Sequence, residues 1–238
     1  MILLLIMGVI RKIGGFAVKI VPIDLGFVKS FLIVGTRDNL ILVDTGNPGD
    51  GDKIVKKINE VGYRPDDVSL IILTHGHRDH VGGVEELRIR LSARTVLGKE
   101  DVPIVRGEYA RELVPLSLMG RVIKYFISTR GSVPGKYEGD ELEEDEVNLK
   151  CFGIEGKIIK TPGHTEGSLS VVLDDGSAIV GDLVMAQFLF FGRASLPVFA
   201  TDPGLLKESI DRILATGSGK IYTSHGGPFD TEELRRLT

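Results

Sequence analysis

The chain has 238 residues, of which 42% are hydrophobic and 26% are charged, a composition that excludes disorder as the dominant state and allows a sizeable core. Its formal net charge is −4, and no basic run is longer than two residues, which argues against sequence-independent binding of nucleic acid. The single cysteine, Cys151, excludes an intrachain disulfide and a thiolate metal cluster.

The first ten residues, Met1–Ile10, are almost wholly apolar. Ten residues are too few to span a bilayer, and the basic pair Arg11-Lys12 follows the run, whereas a signal peptide carries its positive charge before it. We therefore expect a buried first strand in a cytoplasmic protein that does not associate with membranes. The sequence leaves open whether Met1 or Met7 is the true start.

Apolar and β-branched runs alternate with turn-like and helical segments up to about residue 98. Runs split by turn residues predict strands joined by hairpins, and apolar residues at helical spacing predict two helices. In chain order the predicted elements are strands Val18–Pro22, Phe31–Val34 and Leu40–Val43, a helix Asp52–Val61 capped by Asp52, a buried strand Val68–Leu73, a helix Val84–Leu91 and a strand Thr95–Leu97.

Residues 99–146 differ in character, with a helix-compatible middle (111–127), a stretch rich in glycine and proline, and an acidic cluster, Asp140–Glu146. We interpret 99–146 as a cap or insertion within one domain, 1–238, and the acidic cluster as a solvated face.

Strand signals return after this segment, and Asp174–Gly176 predicts a hairpin turn. The order of strands and then a helix, twice over, favours an α+β protein in which two sheets pack together with helices outside. The predicted elements are strands Val147–Phe152, with Cys151 packed inside, Lys157–Thr161, Ser168–Leu173 and Ser177–Val180, a helix from Asp202 or Pro203 to Leu214, a strand Ile221–Thr223 and a short terminal helix.

The five histidines give the most specific signal. His75, His77 and His80 fall within six residues, together with Asp79, directly after the predicted buried strand. Neutral imidazole is the commonest metal ligand, and a neighbouring carboxylate suits a divalent ion. His75 and His77 can point the same way from an extended segment, whereas the other two residues lie on the following turn. One ion cannot readily take all four side chains, but two adjacent ions can.

Three further candidates, His164, Asp182 and His225, each follow a predicted strand and each have a glycine beside them. Neighbouring glycines let backbone and metal approach closely. Each position is a weak signal alone, but their shared placement at strand ends is what a metal pocket at one rim of a sheet requires.

Together these motifs resemble the metallo-β-lactamase superfamily, over about residues 18–230. The matching segments are His75-x-His77-x-Asp79-His80, His164, Asp182, His225, and Asp44 in Val43-Asp44-Thr45-Gly46. The resemblance implies a four-layer αβ/βα sandwich with a metal site between its sheets. It implies two zinc ions per chain, the first held by His75, His77 and His164, the second by Asp79, His80 and His225, with Asp182 bridging them and Asp44 orienting the ligand loop.

The resemblance further implies a hydrolase in which a hydroxide bridging the two metal ions attacks an ester, thioester or lactone, with Asp79 passing a proton to the leaving group. Iron, manganese or nickel would suit the same donors. The segment Thr161–Gly167 resembles the glyoxalase II branch and its lactonase neighbours, although Leu183–Gln187 departs from the glyoxalase II pattern. Asp182 argues against antibiotic hydrolysis, because true β-lactamases usually lack an aspartate there.

We interpret Met185, Phe188 and Phe191 as the wall of an apolar acyl pocket and Arg193 as a partner for a substrate carboxylate. Core packing with a surface arginine is the alternative. The expected partner is a small-molecule substrate, and the oligomeric state stays open, a dimer included.

Three other functions stay open at this stage. A persulfide dioxygenase would use a single iron held by His75 or His77 with His164 and Asp182. A nuclease or phosphodiesterase of the same superfamily would carry more positive charge and a longer cap. A non-catalytic regulatory member would show eroded ligands, whereas all seven are intact here.

Overall fold

A computed structural model describes residues 18–35, 39–108, 114–116, 120–121, 137–187 and 192–238 of the chain. The predicted first strand, Met1–Ile10, and most of the helix-compatible segment 111–127 lie outside these residues. Within the described part of 111–127, Val114–Pro115 is a short strand and not a helix. So do Phe188 and Phe191, two of the predicted pocket residues.

The described residues contain sixteen strands, of which those with four or more residues follow the apolar runs of the sequence. The sixteen strands are β1 (Lys19–Asp24), β2 (Lys29–Val34), β3 (Leu40–Val43), β4 (Val68–Ile72), β5 (Arg94–Gly98), β6 (Val114–Pro115), β7 (Asp140–Leu142), β8 (Glu146–Asn148), β9 (Gly156–Lys160), β10 (Leu169–Leu173), β11 (Ser177–Ile179), β12 (Met185–Ala186), β13 (Ala194–Ser195), β14 (Phe199–Ala200), β15 (Lys220–Tyr222) and β16 (Phe229–Asp230).

Helices connect many of these strands. The α-helices are α1 (Gly51–Glu60), α2 (Arg78–Val81), α3 (Val84–Leu91), α4 (Val102–Val105), α5 (Pro203–Ala215) and α6 (Thr231–Leu234), and short 3-10 helices span Pro65–Asp67, Lys99–Asp101 and Lys150–Phe152. No helix in the described part of the chain is both long and apolar enough to cross a membrane.

Two six-stranded sheets form the centre of the fold. The first has the order β1-β2-β3-β4-β5-β7, antiparallel from β1 to β3 and parallel from β3 to β7. The second has the order β16-β15-β11-β10-β9-β8, in which only the β11–β15 pair is parallel.

Side-chain alternation along the strands produces the layers, because successive residues point to opposite faces of a sheet. In β2 and β3, Leu32 and Leu42 pack in one buried cluster with residues of α1 and α3. Ile33 and Ile41, on the other face, pack with residues of the second sheet. The far face of the second sheet is covered by α5. The predicted four-layer αβ/βα sandwich is therefore confirmed.

Three local predictions are corrected. Helix α1 begins at Gly51 after Asp50, and Asp52 does not cap it but pairs with Arg90. The predicted strand Val147–Phe152 is limited to β8, since the Asn148 side chain accepts a hydrogen bond from the Lys150 N–H and starts a 3-10 turn. Cys151, on that turn, is exposed and not packed.

The acidic cluster Asp140–Glu146 belongs to the sheets as well as to the surface. Its acidic side chains are exposed, as expected, while Leu142 is buried. Strand β7 extends the first sheet alongside β5, and β8 begins at the edge of the second. The end of the 99–146 segment is thus part of the sandwich itself.

Candidate metal centre

All of the candidate ligands lie just beyond the carboxyl ends of strands, along one edge where the two sheets meet. Strands β3 and β4 of the first sheet lead to Asp44 and to the segment His75–His80, and β9, β11 and β15 of the second sheet lead to the other candidates. A backbone hydrogen bond of 2.7 Å from Leu169 N–H to the Thr74 carbonyl joins the sheets at this edge. Residues far apart in sequence are thereby brought together.

The donor atoms form two groups. The first cluster consists of His75, His77, His164 and Asp182, and the second of Asp79, His80 and His225; within each, the potential ligand atoms lie within 4.8 Å of one another. In the first cluster, His77 Nδ1 lies 3.0 Å from His75 Nε2 and 3.1 Å from His164 Nε2. Two nitrogen ligands of one tetrahedral zinc ion would be about 3.3 Å apart.

Asp182 lies between the two clusters. Its Oδ2 is 3.7 Å from His164 Nε2 and 3.5 Å from His225 Nε2, and its Oδ1 is 3.6 Å from His80 Nε2. Asp79 adds a second carboxylate, with its Oδ2 3.3 Å from His225 Nε2. The structure therefore places Asp182 where a group shared by both clusters would stand.

Four of the five imidazoles are held through Nδ1, which leaves Nε2 facing the centre. His80 Nδ1 donates to Asp44 Oδ2 at 2.8 Å. His164 Nδ1 donates to the Phe199 carbonyl and His225 Nδ1 to the Phe27 carbonyl, both at 2.9 Å. His75 Nδ1 lies 3.1 Å from the Thr74 hydroxyl. A hydrogen bond from one ring nitrogen fixes the tautomer and the orientation in which the other nitrogen can bind a metal.

Asp44 is fully buried at the end of β3, and its carboxylate joins three loops. It accepts hydrogen bonds from the Thr74 backbone N–H at 2.7 Å, from His80, and from the Ser224 hydroxyl at 3.4 Å. Its backbone has φ of +62°, an uncommon conformation for a residue other than glycine. The expected orienting role of Asp44 agrees with these contacts.

Burial dominates the electrostatics of the first cluster. It lowers the pKa of His75 well below the ordinary value, and the charge of neighbouring His80 lowers it further. Burial also lowers the pKa of His164 and lowers that of His77 to about 4. These three imidazoles are therefore neutral near pH 7, which is the form that binds a metal.

Carboxylates dominate the second cluster. Burial acts against a charge on His80, but Asp44 and Asp182 outweigh it and raise the pKa of His80 well above the ordinary value. Burial would raise the pKa of Asp79, but its hydrogen bond with His225 and the charge of His80 lower that pKa to about 2. The positive charges of these histidines keep both carboxylates of the centre ionised.

Two buried polar atoms at the centre show that the residues fit a metal. Within the described residues, His80 Nε2 and Asp182 Oδ1 have no hydrogen-bond partner and almost no solvent exposure. Leaving a buried donor or acceptor unsatisfied costs about 1–3 kcal/mol. A divalent ion bound by nitrogen and carboxylate donors would satisfy both atoms.

Comparison with known proteins agrees with this geometry. The sequence model of the metallo-β-lactamase superfamily matches residues 23–225. The chain belongs to this superfamily. A relative in Methanocaldococcus jannaschii, named a probable metallo-hydrolase, is 31% identical over 202 residues, which cover 83% of this chain and 87% of the relative.

Two further similarities are more limited. A hydroxyacylglutathione hydrolase of Cereibacter sphaeroides is 34% identical over 135 residues, covering 56% of this chain and 40% of that enzyme. A solved metallo-β-lactamase family protein of Thermus thermophilus has a TM-score of 0.66 at 20% identity, covering 92% of this chain and 77% of that one. The solved structure supports the fold alone.

The predicted substrate residues of this superfamily member are only partly described. Met185, half-buried in β12, precedes Ala186, whose N–H donates to the His225 carbonyl at 2.7 Å, so this strand borders the second cluster. Arg193 is exposed, and its carbonyl accepts a hydrogen bond from Gln187.

Sequence reasoning missed an aromatic residue at the rim of the centre. Phe27, in the turn between β1 and β2, is 77% exposed, and its ring centroid lies 5.1 Å from that of His225. A short turn containing a lone phenylalanine has no feature in the sequence that links it to a ligand near the far end of the chain.

Proposed function

We propose that this protein is a hydrolase that uses two divalent ions, zinc in the first instance, to cleave an ester, thioester or lactone of a small molecule. The observation that carries the proposal is the orientation of the imidazoles: four present Nε2 and His77 presents Nδ1 to one centre with Asp182 between the clusters. The protein's own hydrogen bonds thus prepare a complete set of donors before any ion binds.

The first cluster would hold one ion and the second cluster would hold the other. Asp182, which belongs to the first cluster, would also contribute to the second. Such ions lower the pKa of a bound water molecule and polarise a carbonyl oxygen. Asp79 is 30% exposed at the edge of the centre, whereas Asp182 is 6% exposed. This position makes Asp79 the carboxylate that we assign to accept a proton from an attacking water molecule and deliver it to the leaving group.

The similarity to a hydroxyacylglutathione hydrolase supports a thioester among the substrates to be tried, although it covers only part of that enzyme. Lactones and oxygen esters share the polarised carbonyl that the reaction needs. The overall charge of −4 favours a small molecule over nucleic acid.

The test starts with metal content per chain, measured by plasma mass spectrometry on protein purified without added metal or chelator. Hydrolysis of thioester, lactone and ester panels is then assayed for the wild type and for His164→Ala and Asp182→Ala. Ile89→Ala, an exposed site on α3, is the control.

About two ions per chain, with activity lost in the two cluster variants and kept in the control, would support the proposal. Full activity and full metal content in His164→Ala and Asp182→Ala would refute it. One iron per chain, little zinc, and oxygen uptake with a persulfide would replace it with the dioxygenase function.

A further inference from the structure

Asp101, fully buried, lies outside both clusters but touches the loops that carry the first. It is the last residue of the 3-10 helix Lys99–Asp101, which follows β5. Its Oδ2 accepts hydrogen bonds from the Gly76 N–H and from the Thr165 hydroxyl, both at 2.7 Å, and its Oδ1 accepts from the Gly167 N–H at 2.8 Å.

These partners lie beside the ligands of the first cluster. Gly76 is the residue between His75 and His77, and Thr165 directly follows His164. One carboxylate therefore joins the loop from the first sheet to the loop from the second. Hydrogen bonds to a charged acceptor are stronger than those between neutral groups, so this connection restrains both loops.

Close packing keeps the carboxylate in this position. A Cβ atom on Gly167 would lie 2.7 Å from the Asp101 carboxyl carbon, and one on Gly76 would lie 3.2 Å from the Asp101 Cβ. Glycine at these two positions leaves the backbone N–H groups within reach of the carboxylate.

We propose that Asp101 is a positioning residue for the first metal cluster, in the way that Asp44 serves the second. Asp44 reaches His80 directly, whereas Asp101 acts through the Gly76 N–H, between His75 and His77, and through the Thr165 hydroxyl, next to His164. This inference rests on the proposed metal centre and not on the identity of the substrate.

Asp101→Asn tests the inference because it keeps the volume of the side chain. An amide has one oxygen and one NH2 group, so at least one of the backbone N–H donors of Gly76 and Gly167 loses its acceptor. Asp50→Asn is the matched control: Asp50 is also a buried carboxylate, but it accepts from the Asn47 N–H and the Lys53 ammonium, neither of which lies in a ligand loop.

The measurement is the affinity of each metal-binding step, obtained by titrating metal-free full-length chain with Co²⁺ and, in competition with a chromophoric chelator, with Zn²⁺. His225→Ala identifies the step that belongs to the second cluster. In Asp101→Asn we expect the other step to weaken by about 10- to 100-fold, with the second-cluster step and both steps of Asp50→Asn unchanged.

Several results would overturn the inference: unchanged affinity at both steps, equal weakening of both, or weakening only of the step that His225→Ala affects. If Asp101→Asn does not fold, Thr165→Val removes the hydroxyl contacts to Asp101 and Ser168 at similar volume, keeps both backbone N–H bonds to Asp101, and should weaken the same step to a smaller extent. A wild-type chain that binds no ion would instead refute the metal centre proposed above.

Discussion

Asp44 and His80 form a hydrogen bond of 2.8 Å in which neither side chain has any exposure to solvent. The carboxylate fixes the orientation of the imidazole ring, and His80 Nε2 points towards Asp182 Oδ1. The same carboxylate also accepts the Thr74 N–H and hydroxyl, which are one residue before His75. A residue that binds no metal in our assignment therefore orders the start of the ligand segment and one of its imidazoles.

The first prediction concerns this pair. Asp44→Asn should weaken metal binding at the second cluster by about 10- to 100-fold, because an amide oxygen cannot serve all of these donors at once and the ring loses a charged partner. Per-step metal titration measures the effect. Ser224→Ala, which removes only a 3.4 Å contact to Asp44, should change the affinity little, and equal losses in both variants would contradict the assigned role.

The second prediction concerns the loop that carries His164. Gly163 has φ of +129°, and a Cβ atom there would lie 2.2 Å from the backbone nitrogen of Leu206 in α5. Gly163→Ala should therefore lower the free energy of unfolding by about 3 kcal/mol or more, combining backbone strain with a backbone clash. Urea unfolding followed by circular dichroism measures the change.

Gly176→Ala separates these two causes. Gly176 also has a positive φ, +83°, but no atom lies within 4 Å of the added Cβ. The backbone strain alone should cost about 1–2 kcal/mol. If both variants lose the same stability, the close approach of Gly163 to α5 has no energetic consequence.

The third prediction concerns Phe27, whose exposed ring stands beside His225. Phe27→Ala should raise the KM for substrates with an apolar acyl or leaving group by about 10-fold, since the contact area of a phenyl ring is lost. The stability and the metal content should stay unchanged, because the Phe27 carbonyl that holds His225 is a backbone group. Steady-state kinetics with substrates of short and long acyl chains measures the effect. If the wild type and Phe27→Ala have the same KM for every chain length, the Phe27 ring does not contact the substrate.

The fourth prediction concerns Arg193, which is exposed in the segment after β12. If its guanidinium binds a substrate carboxylate, Arg193→Ala should raise KM by about 10-fold for carboxylate-bearing substrates, with metal content unchanged. Esterified analogues of the same substrates provide the control. If KM changes by a similar factor for charged and for esterified substrates, Arg193 does not bind the substrate carboxylate.

The sequence determined those features that depend on neighbours along the chain. The run from His75 to His80 places its donors by local geometry, since an extended segment and a following turn fix their relative directions. Alternating residues such as Ile41 and Leu42 likewise fix the two faces of β3, because a strand has a period of two. These motifs were enough to predict the superfamily, and the superfamily in turn implied the layers of the sandwich.

The groups that support the ligands become visible in the folded structure alone. The acceptors for His164 and His225 are the carbonyls of Phe199 and Phe27, and every residue has a carbonyl, so no sequence pattern marks them. Asp101 is 25 residues from Gly76 and 64 from Thr165, and before folding it looks like any acidic residue near a short helix. Such contacts depend on how the two sheets pack together. The residues around Asp101 in the sequence do not indicate which distant residues this packing brings within hydrogen-bonding distance.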